Sequence, residues 1–176
     1  INVCNFILSR TTGDDASLSE SMKRIKGQAL FLRGYSYYTL AGYYQNPALI
    51  TDYANYSSLD GLYGKNSTYD DVLDQVEKDF AEAMTLLPSR DAGGEWAKGR
   101  ATCGAAAGYY ARTLMLRHKY SDALTVLKDI MNKKYGSYKL MANYGDNFRE
   151  GSAYENNAES LFEIQYLDYG SQGVDD

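Results

Sequence analysis

The sequence predicts a mainly α fold, in which helical pairs are joined by long irregular loops and a short β element lies near the C-terminus. Three observations carry this expectation. Residues 26–44, "KGQALFLRGYSYYTLAGYY", are apolar around most of a helical circumference. Residues 69–87 set apolar and acidic side chains on opposite faces at helical spacing. Two further helical patterns, over 103–114 and 120–131, are separated by so short a link that they must fold back on each other.

In the first of these stretches Leu30, Gly34, Tyr37, Ala41 and Tyr44 form one stripe, and Phe31, Tyr35, Tyr38 and Gly42 form the next. Such a helix should be enclosed by neighbours, and Ala29, Gly34, Ala41 and Gly42 let their backbones come close. Arg33 is its only charge between Gly27 and Tyr44; with the short length and many tyrosines it argues against a membrane span. After Pro47, "TDYANYSSLDGLYGKNS" reads as irregular loop from its Gly, Asn and Ser content. Ser67, three residues before Asp70, is the expected cap of the next helix. On that helix Tyr69, Val72, Leu73, Val76, Phe80, Ala83, Met84 and Leu87 face inward, and Pro88 ends it. Asp70, Asp71, Asp74, Glu77, Asp79 and Glu82 are expected to form its solvated face. Asp70 and Asp71 are no acid–base pair, because adjacent helical residues diverge by about 100°.

A Gly-rich loop, "SRDAGGEWAKGR", leads into a third helix with stripes Cys103, Ala107, Tyr110, Leu114 and Gly104, Ala105, Gly108, Ala111, which must also be buried. Ser121 is the expected cap of a fourth, amphipathic helix carrying Tyr120, Ala123, Leu124, Leu127, Ile130 and Met131. Beyond Lys134 the chain turns to loop, "YGSYKLMANYGDNF". "SLFEIQY" then alternates, with Phe162, Ile164 and Tyr166 on one side and Glu163 and Gln165 on the other, as a strand does. Its partners must lie in the loops or outside this chain.

The two halves look alike. "KGQA" at 26–29 and "KGRA" at 98–101 are 72 residues apart, and the same offset carries Tyr37-Tyr38 onto Tyr109-Tyr110. That is the pattern of tetratricopeptide-like helical pairs, whose repeat is about 34 residues. The expected organisation is one helical domain over 1–176, with helical repeats over about 18–134 and a loop and strand region over 135–176. The length suits one domain with a real core. The chain starts at Ile1 without an initiator Met or signal segment and ends on Val174-Asp175-Asp176, so a mature chain or part of a longer protein is expected.

Composition narrows the function. With 18 Lys and Arg against 23 Asp and Glu, and no basic cluster, nucleic acid and anionic membrane surfaces are poor partners. Cys4 and Cys103 lack disulfide-framework or metal-ligand spacing and read as buried free thiols. His118 is the only His and falls in a tight turn, which rules out His-dependent triads and His metal clusters. No P-loop, GxGxxG or EF-hand spacing occurs, and Asp146-Asn147 lacks the remaining calcium ligands. No catalytic residue, cofactor or metal is expected. The unusual feature is 18 Tyr beside one Trp and five Phe, since Tyr offers a wide apolar face and a hydrogen-bonding tip. The loop aromatics Tyr53, Tyr56, Tyr63 and Trp96 are therefore the candidate ligand contacts, with loop anchoring as the competing role.

The order of motifs, "GQALFLRGYSYYTLAGYYQNPALIT", "YDDVLDQVEKDFAEAMTLLP", "KGRATCGAAAGYYARTLMLRHKYSDALTVLKDIM", "YGSYKL" and "NNAESLFEIQY", resembles the SusD/RagB family of nutrient-binding outer-membrane lipoproteins. The family pattern has a "GEARFLRAYYYF" helix ending near "GDVPL", an acidic helix closing on "LP", a "GRATKGAA" entry, a "Y.L" turn and an "E.IFEIQ" strand. Gln45-Asn46-Pro47 replaces the family's Gly-Asp before its Pro, Cys103 stands where Lys is common, and Lys65 stands for the Arg expected before the acidic helix. Family members are several times longer; Cys4 has no lipobox, so the lipid anchor is expected outside this chain. The resemblance implies a non-catalytic protein on the extracellular face of the outer membrane. It would sit as a lid on a SusC-like TonB-dependent transporter and capture glycan or another polymeric nutrient. Sugar rings stack their C–H faces on Tyr and Trp while their hydroxyls take hydrogen bonds. The rival reading is a tetratricopeptide-type scaffold that binds protein or peptide without sugar affinity; the strand and the long Tyr-bearing loops argue against it.

Overall fold

The computed structural model describes residues 1–57, 59–151 and 153–165. Its elements are helices α1 (Asn2–Arg10), α2 (Glu20–Tyr44), α3 (Leu59–Leu62), α4 (Tyr69–Leu86), α5 (Cys103–Leu116) and α6 (Tyr120–Met131), joined by short 3-10 turns. α1 lies against α2, α2 packs on α4, α4 on α5 and α5 on α6, so the longer helices stack side by side in chain order, with the one-turn α3 left against the turn that precedes it. The mainly helical expectation holds. Phe31, Tyr37, Val72, Leu73, Val76, Phe80 and Leu114 are fully buried between the layers. Small residues set the spacing. A Cβ on Gly34 would stand 3.2 Å from the Asp79 Cβ and the Phe80 ring, and one on Gly104 would clash with the Tyr138 hydroxyl.

Inside this stack sits an ion pair. Arg33, the only charge between Gly27 and Tyr44, donates from Nε and Nη2 to the two carboxylate oxygens of Asp79 at 2.8 and 2.7 Å. Its Nη1 donates to Asn5 Oδ1 at 3.0 Å, and Gln75 donates to Asp79 at 2.7 Å. Asn5 in turn donates to the Ile50 carbonyl at 2.7 Å, while the Tyr37 hydroxyl donates to that same carbonyl and accepts from the Ile50 amide. One network thus ties α1, α2, α4 and the 50–51 segment together. Burial drives the Asp79 carboxyl above its ordinary range, and the bonds from Arg33 and Gln75 oppose that drift.

Several expectations need correction. Asp79 does not belong to a solvated face: it is completely buried against Arg33. Asp74 and Glu77 do lie on the outer side of α4, but they hold Arg117 and Lys119 of the α5–α6 turn. The cap of α4 is Thr68 rather than Ser67. Ser67 Oγ is occupied by the Leu49 amide at 3.2 Å, whereas Thr68 Oγ1 accepts from the Asp71 amide and donates to its carboxylate. Nor does Ser121 cap α6. Lys119 holds that position without a side-chain bond, because His118 in the left-handed region (φ 58°) turns the chain and returns the Lys119 amide to the Leu114 carbonyl.

The enclosure of the tyrosine helix is incomplete. Tyr43 and Tyr44 are exposed at its end, and a Cβ on Gly42 would meet nothing. On α6 only Ala123 and Val126 are buried; Tyr120, Leu124, Leu127 and Met131 face outward. The repeated tetrapeptides also differ, since Lys26–Ala29 lie within α2 and Lys98–Ala101 form a turn before α5. No strand occurs among the described residues: Leu161–Gln165 run without a strand pairing, and Tyr166 falls outside them. The turn just before this segment is held by Arg90, whose guanidinium donates to the carbonyls of Asn156, Asn157 and Ser160 at 3.0–3.1 Å.

Candidate functional site

The tyrosines of α2 divide by helical phase. Tyr37 points into the core, while Tyr35, Tyr38, Thr39 and Gly42, at steps of three, one and three, share a neighbouring face. α5 supplies the other wall through Tyr109 and Arg112. The resulting open groove has a volume of about 390 Å³. Its rings are locked edge to face: Tyr109 meets Tyr35 at 5.4 Å and 89° and Tyr38 at 5.7 Å and 78°. Phe31, itself buried, packs against Tyr109 and Phe162 beneath them at 5.8 and 4.9 Å. Preorganised aromatic faces of this kind lose little side-chain freedom when a ligand stacks on them.

Arg112 stands at the edge of this groove, its guanidinium 5.7 Å from the Tyr38 ring centre and 5.8 Å from that of Tyr109. On its far side a second concavity of about 410 Å³ is lined by Ala105, Gly108, Leu127, Ile130, Leu161 and Phe162. Arg112 and Tyr109 border both. Among the described residues Arg112 makes no hydrogen bond or ion pair, and no carboxylate lines either concavity. Burial holds the Tyr109 phenol above its usual range, so it stays a neutral donor and acceptor.

The four loop aromatics do not come together. Tyr53 sits at the α1 side, edge-on to Phe6 at 5.1 Å, and Tyr63 projects outward at 82% exposure. Tyr56 lies in the same turn, Tyr53–Ser57. Trp96 is buried at 8% exposure, with Arg24 and Arg100 against its ring at 5.8 and 5.7 Å. The cleft beside it, bounded by Arg90, Asn156 and Phe162, has only about 20 Å³ of free space, room for one water and not for a sugar ring. Trp96 touches α2 at Arg24, whereas the 50–51 segment meets it at Arg33 and Tyr37, about 14–20 Å further along at 1.5 Å per residue. The groove residues Tyr35, Tyr38, Tyr109 and Arg112 were not singled out in the sequence. Their signal was the step of 35, 38 and 42 on one face opposite a buried Tyr37.

Reactive groups are dispersed. His118 lies in the α5–α6 turn with Nδ1 2.7 Å from the Tyr120 hydroxyl. Cys4 and Cys103 are buried free thiols, and burial pushes the Cys103 thiol up. Among the described residues no group of three or more His, Cys, Asp or Glu could hold a metal ion, and no helix is long and apolar enough to cross a membrane.

Stacked helices presenting an open aromatic groove define a class of helical binding frame. The chain belongs to the SusD-like (SusD/RagB) family: a family model described as "Starch-binding associating with outer membrane" matches residues 1–115. A SusD superfamily protein from Bacteroides vulgatus superposes with a TM-score of 0.77 at 27% identity, over 92% of this chain and 33% of that one. A SusD-like carbohydrate-binding protein from Bacteroides fragilis gives 0.77 at 29% identity, over 94% and 31%. Surface glycan-binding protein A from Bacteroides uniformis, at 22% identity and a TM-score of 0.74 over 93% and 35%, shares the fold. The chain thus spans about a third of the length of these solved relatives. No curated protein matches it.

Proposed function

We propose that this chain is the helical frame of a non-catalytic glycan-binding protein, held by a lipid anchor on the extracellular face of the outer membrane, which delivers glycan to a SusC-like TonB-dependent transporter. The observation that carries the reading is the family match over residues 1–115. It is supported by the B. fragilis relative, a carbohydrate-binding protein whose fold this chain shares over nearly its whole length. The helical pairs then act as tetratricopeptide-like units, and recognition falls to what protrudes from them.

In this reading Tyr53, Tyr56 and Tyr63 belong to a loop that contacts ligand or transporter, and Tyr63 is more exposed than Tyr53. Trp96 contributes as an anchor: its ring, packed between two arginines, fixes the turn that leads into α5. A glycan array separates this function from a protein- or peptide-binding scaffold. The protein should select a few polysaccharides, and Tyr63→Ala should weaken the signal while Trp96→Phe leaves it in place. A blank array would favour the scaffold.

A further inference from the structure

We infer that the groove between α2 and α5 is a subsite for an anionic sugar, a uronic acid residue within a glycan chain, with Arg112 as the carboxylate-binding group. The inference rests on the glycan-binding reading and adds the charge class of the ligand. Two independent features converge on it. The first is a set of fixed aromatic faces, Tyr35, Tyr38 and Tyr109, around an open volume of about 390 Å³. This is enough for a hexose ring, whose C–H face stacks on a phenol while ring hydroxyls meet phenolic oxygens.

The second feature is Arg112. Three other cations at helix junctions are spoken for: Lys26 holds Asp15 and Glu82, Arg33 holds Asp79, and Arg117 holds Asp74 and Glu77. In a chain of net charge −5, Arg112 meets no carboxylate among the described residues, and among them none lines either concavity that it borders. The two tyrosine rings hold its planar fork at the groove's edge. A guanidinium so placed offers paired N–H donors at the geometry a carboxylate requires. A neutral sugar would leave that charge unused. The second concavity, which shares Tyr109 and Arg112 with the groove, gives the adjoining sugar of the chain an apolar floor of Leu161 and Phe162.

The test is calorimetric titration of the protein with oligogalacturonate and oligoalginate, each also in methyl-esterified form, which removes the charge and keeps the ring. Binding of an acidic form, weakened about tenfold or more by esterification and by Arg112→Gln, is the expected result. Affinity should also fall with added salt. Tyr38→Ala should weaken both forms. Because Arg112 is exposed, its substitution should leave the thermal melt unchanged. Gly42→Phe is an independent blocking variant, since a side chain there enters open space in the groove wall without a clash. Equal affinity for acidic and esterified chains, or binding untouched by Arg112→Gln and Gly42→Phe, overturns the inference and leaves glycan binding intact. Binding of neutral polysaccharides alone does the same, whereas failure to bind any glycan removes both.

Discussion

At the scale of single residues, the buried pair of Arg33 and Asp79 decides whether the frame forms. Two charges inside a helix interface cost more in lost hydration than either single contact returns, so the geometry has to be complete. Here Arg33 also serves Asn5, and Asp79 also accepts from Gln75. Arg33→Met leaves the Asp79 charge stranded and should destabilise by about 3–5 kcal/mol in urea unfolding. The double variant Arg33→Met/Asp79→Leu should recover most of that loss; strict additivity of the two single changes would contradict the pairing. Gly104 answers to a different force. Its hydrogen faces the Tyr138 ring, so Gly104→Ala should cost about 1–3 kcal/mol by overpacking, and Tyr138→Phe should relieve part of it in the double variant. If Gly104→Ala melts like the parent, the 138 loop is not seated on α5.

At the scale of elements, the loop after α6 is clasped by Glu159, which accepts from the Met141 amide and the Asn147 side chain, both at 2.9 Å. The amide, then Asn147, holds its carboxyl below the usual range. A carboxyl depressed on folding contributes fully above its unfolded pKa, and that contribution fades as pH falls through the folded value. Protection of the Met141 amide against hydrogen exchange should therefore drop on acidification through the carboxylate range. In Glu159→Gln it should be lower and insensitive to pH; a matching pH response in that variant would dissociate the clasp from Glu159. The helices themselves were readable from spacing, because 3.6-residue periodicity survives in α2, α4 and α5. Asp79 was misplaced through its charge, although steps of four, three and four along 72, 76, 79 and 83 set it on the apolar face. α1 was missed: nine residues without a side-chain cap carry little local signal, and it is held by tertiary bonds such as Asn5 to Ile50. The β element was legible only as alternation, and alternation cannot supply a pairing partner.

At the scale of the whole molecule, the groove illustrates why function was less legible than fold. Tyr35, Tyr37 and Tyr38 are alike in sequence, and only the rotation of α2 against α4 and α5 sends Tyr37 inward and leaves its neighbours open. The loop aromatics do not share one site: Tyr53 packs on Phe6 of α1, Tyr63 projects outward, and Trp96 is turned into the core against Arg24. The stack of α2, α4 and α5 therefore does two jobs, as a rigid support for surrounding loops and as one wall of a polar-rimmed aromatic surface. The central claim is that this family member retains glycan without cleaving it. It is tested most directly by electrophoresis of the native protein through gels containing embedded polysaccharides, with the chain length of each polysaccharide measured afterwards. The account predicts that migration is retarded by at least one of them and that its length is unchanged. Unretarded migration across neutral and acidic polysaccharides alike, or retardation accompanied by shortening, would contradict it.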